Sequence, residues 1–559
     1  MSSTNPSSET STIVDPPQSS QSPHIQHSPR ELLEEEIERD ERLIEKYGGD
    51  DPEDPPSKVE PIPVVEEVVD PNLVTWDGDD DPANPQNWSH AYKMFVIISC
   101  AFLTVNVTFA SSLPSTATEK IQVHFHTTAE VSYLVTSLFL IGYIFGPIFW
   151  GPGSEVIGRR PIFFCTLTTY TLFILGQALA KNIETLLITR FLSGFFGCAP
   201  LILSGGVIAD IFDAEGRGMA SSLFGASVFL GPALGPVVGG FIVQSKASWR
   251  WVFWVMFIFA GVCSLLVLIL LPETYAPVLL KKKAIARRKA ENNTELYAEI
   301  ERQGWSFHEL LHRTIYRPFI MLFLEPILLF VTIYLSVVYG VIYALFEAFP
   351  VIFMGRHGLT INQCGMIFIG IGIGTSFGAI INNIMMKRYN RLIKTWHGFP
   401  PPETRLFGAM IGGFLLVIGI FWLGWSGEYS SVPWYVPAMS TVAIGTAVSL
   451  IFISFLTYLV DVYLMYAASA FAANTFIRSM VGAAFPLFTV QMYENMGINW
   501  ASTLIGLIGL VLAPLPFLFY KYGARIRLNS KFAPCIDLKI AKMLDAEKQQ
   551  ATESEKAQV

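Results

Sequence analysis

Five charged residues of this chain stand where charge is expensive. Arg190, Glu347 and Arg478 fall inside long apolar runs, Asp210 closes the run that holds Arg190, and Asp461 closes another. Near the centre of a membrane helix such a side chain costs about 2.5–3.5 kcal/mol on insertion scales, so its retention points to a task. A carboxyl among apolar groups can load and release a proton. A guanidinium there can bind an anion or balance an acid. Glu347, flanked by Tyr343, Phe346 and Phe349, is the candidate proton carrier; the alternative places it, solvated, at the external interface. Arg190 either faces the bundle interior and helps a nearby acid exchange protons, or snorkels to the outer surface. Arg478 lies centrally in its run and is expected to face a cavity, binding an anionic group or balancing an acid. Asp210 and Asp461 are gate residues at helix ends rather than carriers. Asn106, Tyr343, Phe346, Glu347 and Arg478 together are the expected cavity lining, with aromatics such as Phe102, Phe109 and Tyr339 around it.

Two glycine-rich stretches have a mechanical character. Gly151-Pro-Gly-Ser-Glu155-Val-Ile-Gly158-Arg159-Arg160-Pro161 reads as a tight basic turn. Glu155 is expected to pair with an arginine or a helix end nearby, forming a latch at an inner gate; the alternative is a turn that only sets topology. Gly231-Pro232-Ala-Leu-Gly235-Pro236-Val-Val-Gly239-Gly240 would ruin an isolated helix. Inside a bundle the same residues allow kinks and close backbone contact with a neighbouring helix.

The elements that position these residues follow from hydropathy. Mean hydropathy is +0.44, and charged residues make up 15% against about 25% in an ordinary soluble domain. About 20 apolar residues cross the ~30 Å hydrocarbon core, and lipid forces the backbone to satisfy itself in helices. Twelve such spans are expected, at roughly 93–112, 131–151, 161–179, 186–209, 219–242, 250–271, 319–350, 362–386, 405–425, 434–460, 465–490 and 499–520. The fold class is therefore an all-α membrane protein of two six-helix bundles, 93–271 and 319–521, joined by a cytoplasmic linker, 272–318. The seventh run is longer than the membrane is thick, so part of it must tilt or lie outside. A weak echo between the halves supports the division: the turns after spans 2 and 8 are both basic, and spans 4 and 10 both end in a carboxylate.

Charge is divided along the chain. Residues 1–92 hold 22 acidic and 5 basic residues, and the remainder 24 and 33. The acidic balance belongs to a tail, expected to be disordered over 1–92 apart from a short helix at 31–47, and it implies no nucleic-acid partner. Residues 1–30 lack an apolar stretch, so the first span is expected to direct insertion itself. Loops on one side of the membrane carry 17 basic residues and those on the other side five, which puts both termini, including the tail 522–559, in the cytoplasm. The sequons at Asn87, Asn106 and Asn292 then escape glycosylation. Five of six cysteines lie in apolar runs and read as packing residues. No metal-ligand cluster, nucleophile motif or phosphate-binding loop occurs on an aqueous segment, so neither an enzyme, a metal nor a cofactor is expected.

The Gly151–Arg160 turn, Arg190-x-x-x-Gly194 in span 4 and Gly235-Pro236-x-x-Gly239-Gly240 in span 5 resemble motifs of the major facilitator superfamily. The third is similar to its antiporter signature. Asn84–Ser89, Pro272–Leu280 and Tyr343–Pro350 resemble the fungal twelve-span drug:proton antiporters, and the similarity covers about residues 84–527. Glu155 stands where that family's pattern has Asp, and span 1 lacks the carboxylate some relatives have. The resemblance implies proton-coupled efflux of drugs, toxins, polyamines or secondary metabolites by a monomer in the plasma membrane, with the vacuolar membrane as alternative. It makes Arg190 proton-linked, Asp210 a gate or coupling acid, and Gly231, Pro232, Gly235, Pro236, Gly239 and Gly240 the antiporter helix. The rival readings are an importer or facilitator of the same fold and a non-transporting membrane sensor.

Overall fold

The computed structural model describes residues 72–541 except 79, 213, 303–314, 397–398 and 539; the helix expected at 31–47 lies outside them. Twelve long helical units follow one another. Span 1 is His90–Ser112, span 2 Ala129–Ile157, span 3 Arg159–Ala178, span 4 Ile183–Ile211, span 5 Ala214–Gln244 and span 6 Arg250–Leu270. Span 7 is Pro326–Phe349, span 8 Ile361–Thr395, span 9 Phe407–Gly427, span 10 Tyr435–Tyr463, span 11 Ala467–Met496 and span 12 Ile498–Arg527. Among the described residues eleven of these units are long and apolar enough to cross a membrane. Span 11 is equally long but interrupts its apolar surface with Asn474, Arg478, Gln491 and Glu494.

Burial sorts the spans. Span 7 is enclosed along almost its whole length, whereas span 6 turns Ile258, Val262, Leu265 and Ile269 outward. Spans 9 and 12 do the same with Ile411, Phe414, Ile418 and with Leu504, Ile508, Val511. Apolar surface on that scale suits lipid, the solvent in which exposing it carries no hydrophobic cost.

The overlong seventh run is broken rather than tilted. A short helix, Arg317–Leu324, ends at Glu325, and Pro326 begins span 7, the first turn being where proline costs a helix least. The turn expected over 151–161 is also shorter than its glycines suggested. Span 2 stays helical through Pro147 and Pro152 to Ile157, and only Gly158, with φ of 111°, reverses the chain. The basic stretch Lys387–Arg391, expected as a turn, is likewise helical and belongs to span 8.

Part of the acidic tail is ordered. Leu73 pairs with Tyr297 as a short parallel bridge, Val74 packs with Val278, Ala284, Leu296 and Ile300, and Lys283 pairs with Asp81 at 2.8 Å. Disorder expected through residue 92 therefore gives way over 72–92 to a segment seated on the linker helix Ala276–Glu291. The apolar cluster and the basic face of that helix supply what the segment alone lacks. Lys283 and the backbone N–H groups of Asp77 and Ala83 hold the Asp81 carboxyl down at about 2.

Candidate functional site

Span 5 is a wedge whose fit depends on missing side chains. A Cβ at Gly231 would come within 2.0 Å of Thr108 Oγ1, at Gly235 within 2.0 Å of Ser112 Oγ, and at Gly239 within 2.2 Å of Thr116 Oγ1. Glycines spaced by four thus meet Ser and Thr residues spaced by four along span 1 and its continuation, the matching of small residues that lets membrane helices touch. The other edge of span 5 meets the opposite half. A Cβ on Gly365 of span 8 would lie 2.3 Å from the Pro236 carbonyl oxygen, and one on Gly240 would lie 2.8 Å from that of Ile361. Pro232 lies inside the same helix. Lower down, Asn382 donates to Ser222 Oγ at 3.3 Å.

Arg190 does not snorkel. It is 0% exposed; its Nε donates to the Val135 carbonyl of span 2 at 2.7 Å and its Nη1 to the Ala110 carbonyl of span 1 at 3.1 Å. The guanidinium lies 4.4 Å from the Phe139 ring centre. Gly194, one turn on, allows the backbone of span 2 at Phe139 to come this close. No carboxylate pairs with Arg190 among the described residues.

Glu347 is 6% exposed, inside the bundle rather than at the external interface, and its Oε1 has no hydrogen-bond partner. One turn back on the same face, Tyr343 shares a hydrogen bond of 2.9 Å with Ser111 of span 1, and Phe346 stacks on Phe368 at 5.3 Å. Tyr133 of span 2 lies within electrostatic reach of Glu347. The halves therefore meet over Glu347, where span 1 ends, span 2 begins, span 7 ends and span 8 begins. Asn106 is buried with Oδ1 unpartnered. Phe102 and Phe109, expected near the cavity, pack instead on Phe259 of span 6.

Arg478 stands in the other half. Its guanidinium lies 5.0 Å from the Tyr339 ring centre and 5.5 Å from that of Phe452. The single hydrogen bond it makes is a long one, 3.5 Å to Thr475 Oγ1, and its buried Nε has no acceptor. The hydroxyl of Tyr339 lies 3.4 Å from that of Tyr343.

At the ends where spans 4 and 10 finish, both halves build a latch. Arg159 Nε meets Asp210 of span 4 at 3.1 Å, Arg159 Nη1 donates to Ser154 Oγ, and Thr274 Oγ1 donates to the same Asp210 carboxylate at 3.2 Å. Glu155 is exposed on the last helical turn of span 2. Arg160 is exposed, and its Nη2 donates to the Leu268 carbonyl at 2.8 Å. Gly151 stays helical beside Ile202. The residue that sequence reasoning missed is Glu273. It accepts from the backbone N–H groups of Arg159 at 2.9 Å and Arg160 at 3.2 Å, capping span 3. A Cβ on Gly158 would stand 2.4 Å from its carboxylate. Its only signal was the Pro272–Leu280 resemblance. In the second half Arg405 meets Asp461 at 2.8 Å, Tyr389 donates to the same carboxylate oxygen at 2.6 Å, and the guanidinium covers the Tyr389 ring at 3.5 Å.

A family model described as Major Facilitator Superfamily matches residues 95–486. The MFS-type efflux pump MFS2 of Trichophyton rubrum is 42% identical over 87% of this chain and 81% of its own length. The major facilitator superfamily multidrug transporter FLU1 of Candida albicans is 39% identical over 83% and 76%. The ascochitine biosynthesis cluster MFS transporter of Didymella fabae is 38% identical over 83% and 90%. Among solved structures, the proton:xylose symporter XylE bound to 6-bromo-6-deoxy-D-glucose shares the fold with a TM-score of 0.55 at 17% identity, over 78% of this chain and 96% of that one. The human organic anion transporter MFSD10 does so at 0.51 and 18%, over 78% and 99%. The chain belongs to the major facilitator superfamily: it is a membrane transporter and not an enzyme.

Proposed function

We propose that this transporter exports small organic molecules against a proton gradient by alternating access, as a monomer in the plasma membrane with both termini in the cytoplasm. The observation that carries the coupling is Glu347: a buried carboxyl with a free oxygen and no cationic partner among the described residues, one turn from a contact between the halves. A proton arriving from outside neutralises Glu347 and a proton leaving restores its charge. Each change alters the field at Tyr343, whose hydroxyl holds Ser111 of span 1 and so holds the outer ends of spans 1 and 7 together. Arg190 acts through position: by gripping the Ala110 carbonyl it fixes the turn of span 1 that presents Ser111. Asp210 and Asp461, latched to Arg159 and Arg405, close the cytoplasmic ends and open when the halves rock. The glycine stripe of span 5 is the sliding surface, because helices packed on small residues can move without repacking bulky side chains. Export rather than import is favoured by that stripe and by relatives named as efflux and multidrug transporters.

In proteoliposomes with an imposed pH gradient, Glu347→Gln is expected to lose gradient-driven transport while retaining substrate binding. Wild-type rate and gradient response in that variant would remove Glu347 as the carrier.

A further inference from the structure

Arg478 has too few partners to be a brace. Arg190, the matching charge of the first half, gives two of its nitrogens to backbone carbonyls at 2.7 and 3.1 Å. Arg478 has one marginal contact at 3.5 Å, a buried Nε without an acceptor, and no carboxylate among the described residues to balance it. Glu347 does not serve, since no ion pair joins it to Arg478 among the described residues; the groups against the guanidinium are the Tyr339 and Phe452 rings. A half-buried cation without a counter-charge is costly beside apolar rings. It persists where a negative group visits.

The surroundings say what kind of group. One turn before Arg478, Asn474 faces span 7 through Thr332 at 3.4 Å and leaves Oδ1 unpartnered; on the facing span, Ser336 Oγ is also unpartnered. Tyr339, Phe452 of span 10 and Phe229 of span 5 follow one another with ring centres 6.1 and 4.9 Å apart, reaching from one half to the other. Gly482 leaves room for the Tyr339 ring: a Cβ there would lie 2.8 Å from it. A cation backed by aromatic faces, with amide and hydroxyl groups one turn away, suits a flat ring system carrying one anionic group. A cationic cargo would meet repulsion at this point.

We propose that the cargo is an aromatic organic anion and that Arg478 binds its anionic group, with Tyr339 and Phe452 against its rings. This rests on the export reading above and narrows it to a substrate class. The two fail separately, because charge preference among cargoes and response to the proton gradient are different measurements.

The test uses the purified full-length transporter and three naphthalene probes of nearly equal size: naphthalene-2-sulfonate, permanently anionic; naphthalene-2-sulfonamide, neutral; and 2-naphthylmethyl-trimethylammonium, permanently cationic. The wild-type protein is expected to bind the sulfonate at least tenfold more tightly than the other two and to carry it in proteoliposomes. Arg478→Gln is expected to raise the KM for the sulfonate tenfold or more and to leave weak binding of the sulfonamide unchanged; Arg478→Lys should recover part of the loss. Equal loss for all three probes in Arg478→Gln would make the residue a brace. Should that variant fail to fold, competition among the probes on the wild-type protein still decides. The proposal falls if the cation or the neutral probe competes as well as the sulfonate, or if the sulfonate does not bind. Tight sulfonate binding without any gradient response would instead remove the coupling reading and leave this one standing.

Discussion

Arg190 in the first half and Arg478 in the second both stand within a span and pair with no carboxylate among the described residues, and the two are treated differently. In the first half Arg190 is tied by two carbonyls and a ring to spans 1 and 2, beside a span 5 whose glycines bring it against span 1. In the second half Arg478 is touched by two ring faces and one distant hydroxyl, on the span with the most interrupted apolar surface. The contrast teaches that a charge within the membrane can be structural or unoccupied by its neighbours, and that the hydrogen-bond account separates the cases where burial alone does not. It also assigns a division of labour: the first half is the rigid reference, and the second carries the exposed chemistry.

The largest expected effect tests that division directly. Arg190→Ala removes two charge-assisted hydrogen bonds, to the Val135 and Ala110 carbonyls, at about 1.5–3 kcal/mol each. Folded yield and transport should both fall at least tenfold, whereas Arg478→Ala should leave yield within about twofold. Detergent-solubilised yield and a thermal unfolding curve for both variants are the measurement; equal yields for the pair would erase the distinction. Next comes the glycine stripe. Gly235→Ala places a Cβ 2.0 Å from Ser112 Oγ and 2.8 Å from the Leu113 nitrogen, while Gly205→Ala enters open space. Overpacking of that kind costs about 1–3 kcal/mol, so Gly235→Ala should lower the unfolding temperature and slow transport severalfold, with Gly205→Ala as the neutral control. A silent Gly235→Ala would mean the first half is as loose as the second.

How much of this the chain disclosed before its fold depended on the range of the interaction. The twelve spans were legible because lipid imposes one solution on any long apolar run, and Arg190, Glu347 and Arg478 stood out by the cost of placing them there. Partnerships were harder. Glu155 is the acid nearest to Arg159 in sequence, yet Arg159 meets Asp210, 51 residues on, and its backbone is capped by Glu273, 114 residues on. Arg527 is fully enclosed by Glu403 and Asp537 at 2.9 and 2.7 Å, a cluster that no local pattern announces. The stripe of Thr108, Ser112 and Thr116 looks like ordinary span 1 sequence until the glycines of span 5 lie against it. Phe102 and Phe109 were misplaced for the same reason, since helical spacing gives a face but not the neighbour it meets.

The two latches sharpen the comparison by being the place where the halves agree. Asp210 and Asp461 stand in the last turns of spans 4 and 10, each meets an arginine from the start of span 3 or just before span 9, and each accepts a hydroxyl from a further residue. Asp210→Asn and Asp461→Asn keep the shape and remove the charge. Charge-assisted hydrogen bonds of this kind contribute about 1.5–3 kcal/mol, so each variant should change the transport rate by about tenfold, and the two should agree within a factor of about three. A tenfold effect from one and none from the other would show that the division of labour extends to the gates.

The smallest effect is expected where the acidic segment meets the linker. Val74 donates to the Tyr297 carbonyl and Tyr297 to the Asn72 carbonyl, both at 2.9 Å, and Asp81 secures the strap by its pairing with Lys283. The Asp81 carboxyl is held at about 2, below its ordinary value. A depressed acid contributes its stabilisation above its unfolded value and loses it as pH falls through the folded one. From pH 8 to pH 5 Asp81 stays charged in both states, so the strap should not loosen. Hydrogen exchange at Val74 and Tyr297, corrected for intrinsic rates, should therefore show constant protection over that range. Asp81→Asn should lower the protection less than tenfold, because an ion pair at the aqueous edge is screened, and leave transport unchanged. Loss of transport in Asp81→Asn would mean that the strap acts on the halves through the linker that joins them, and the rigid first half would then owe part of its rigidity to the cytoplasmic side.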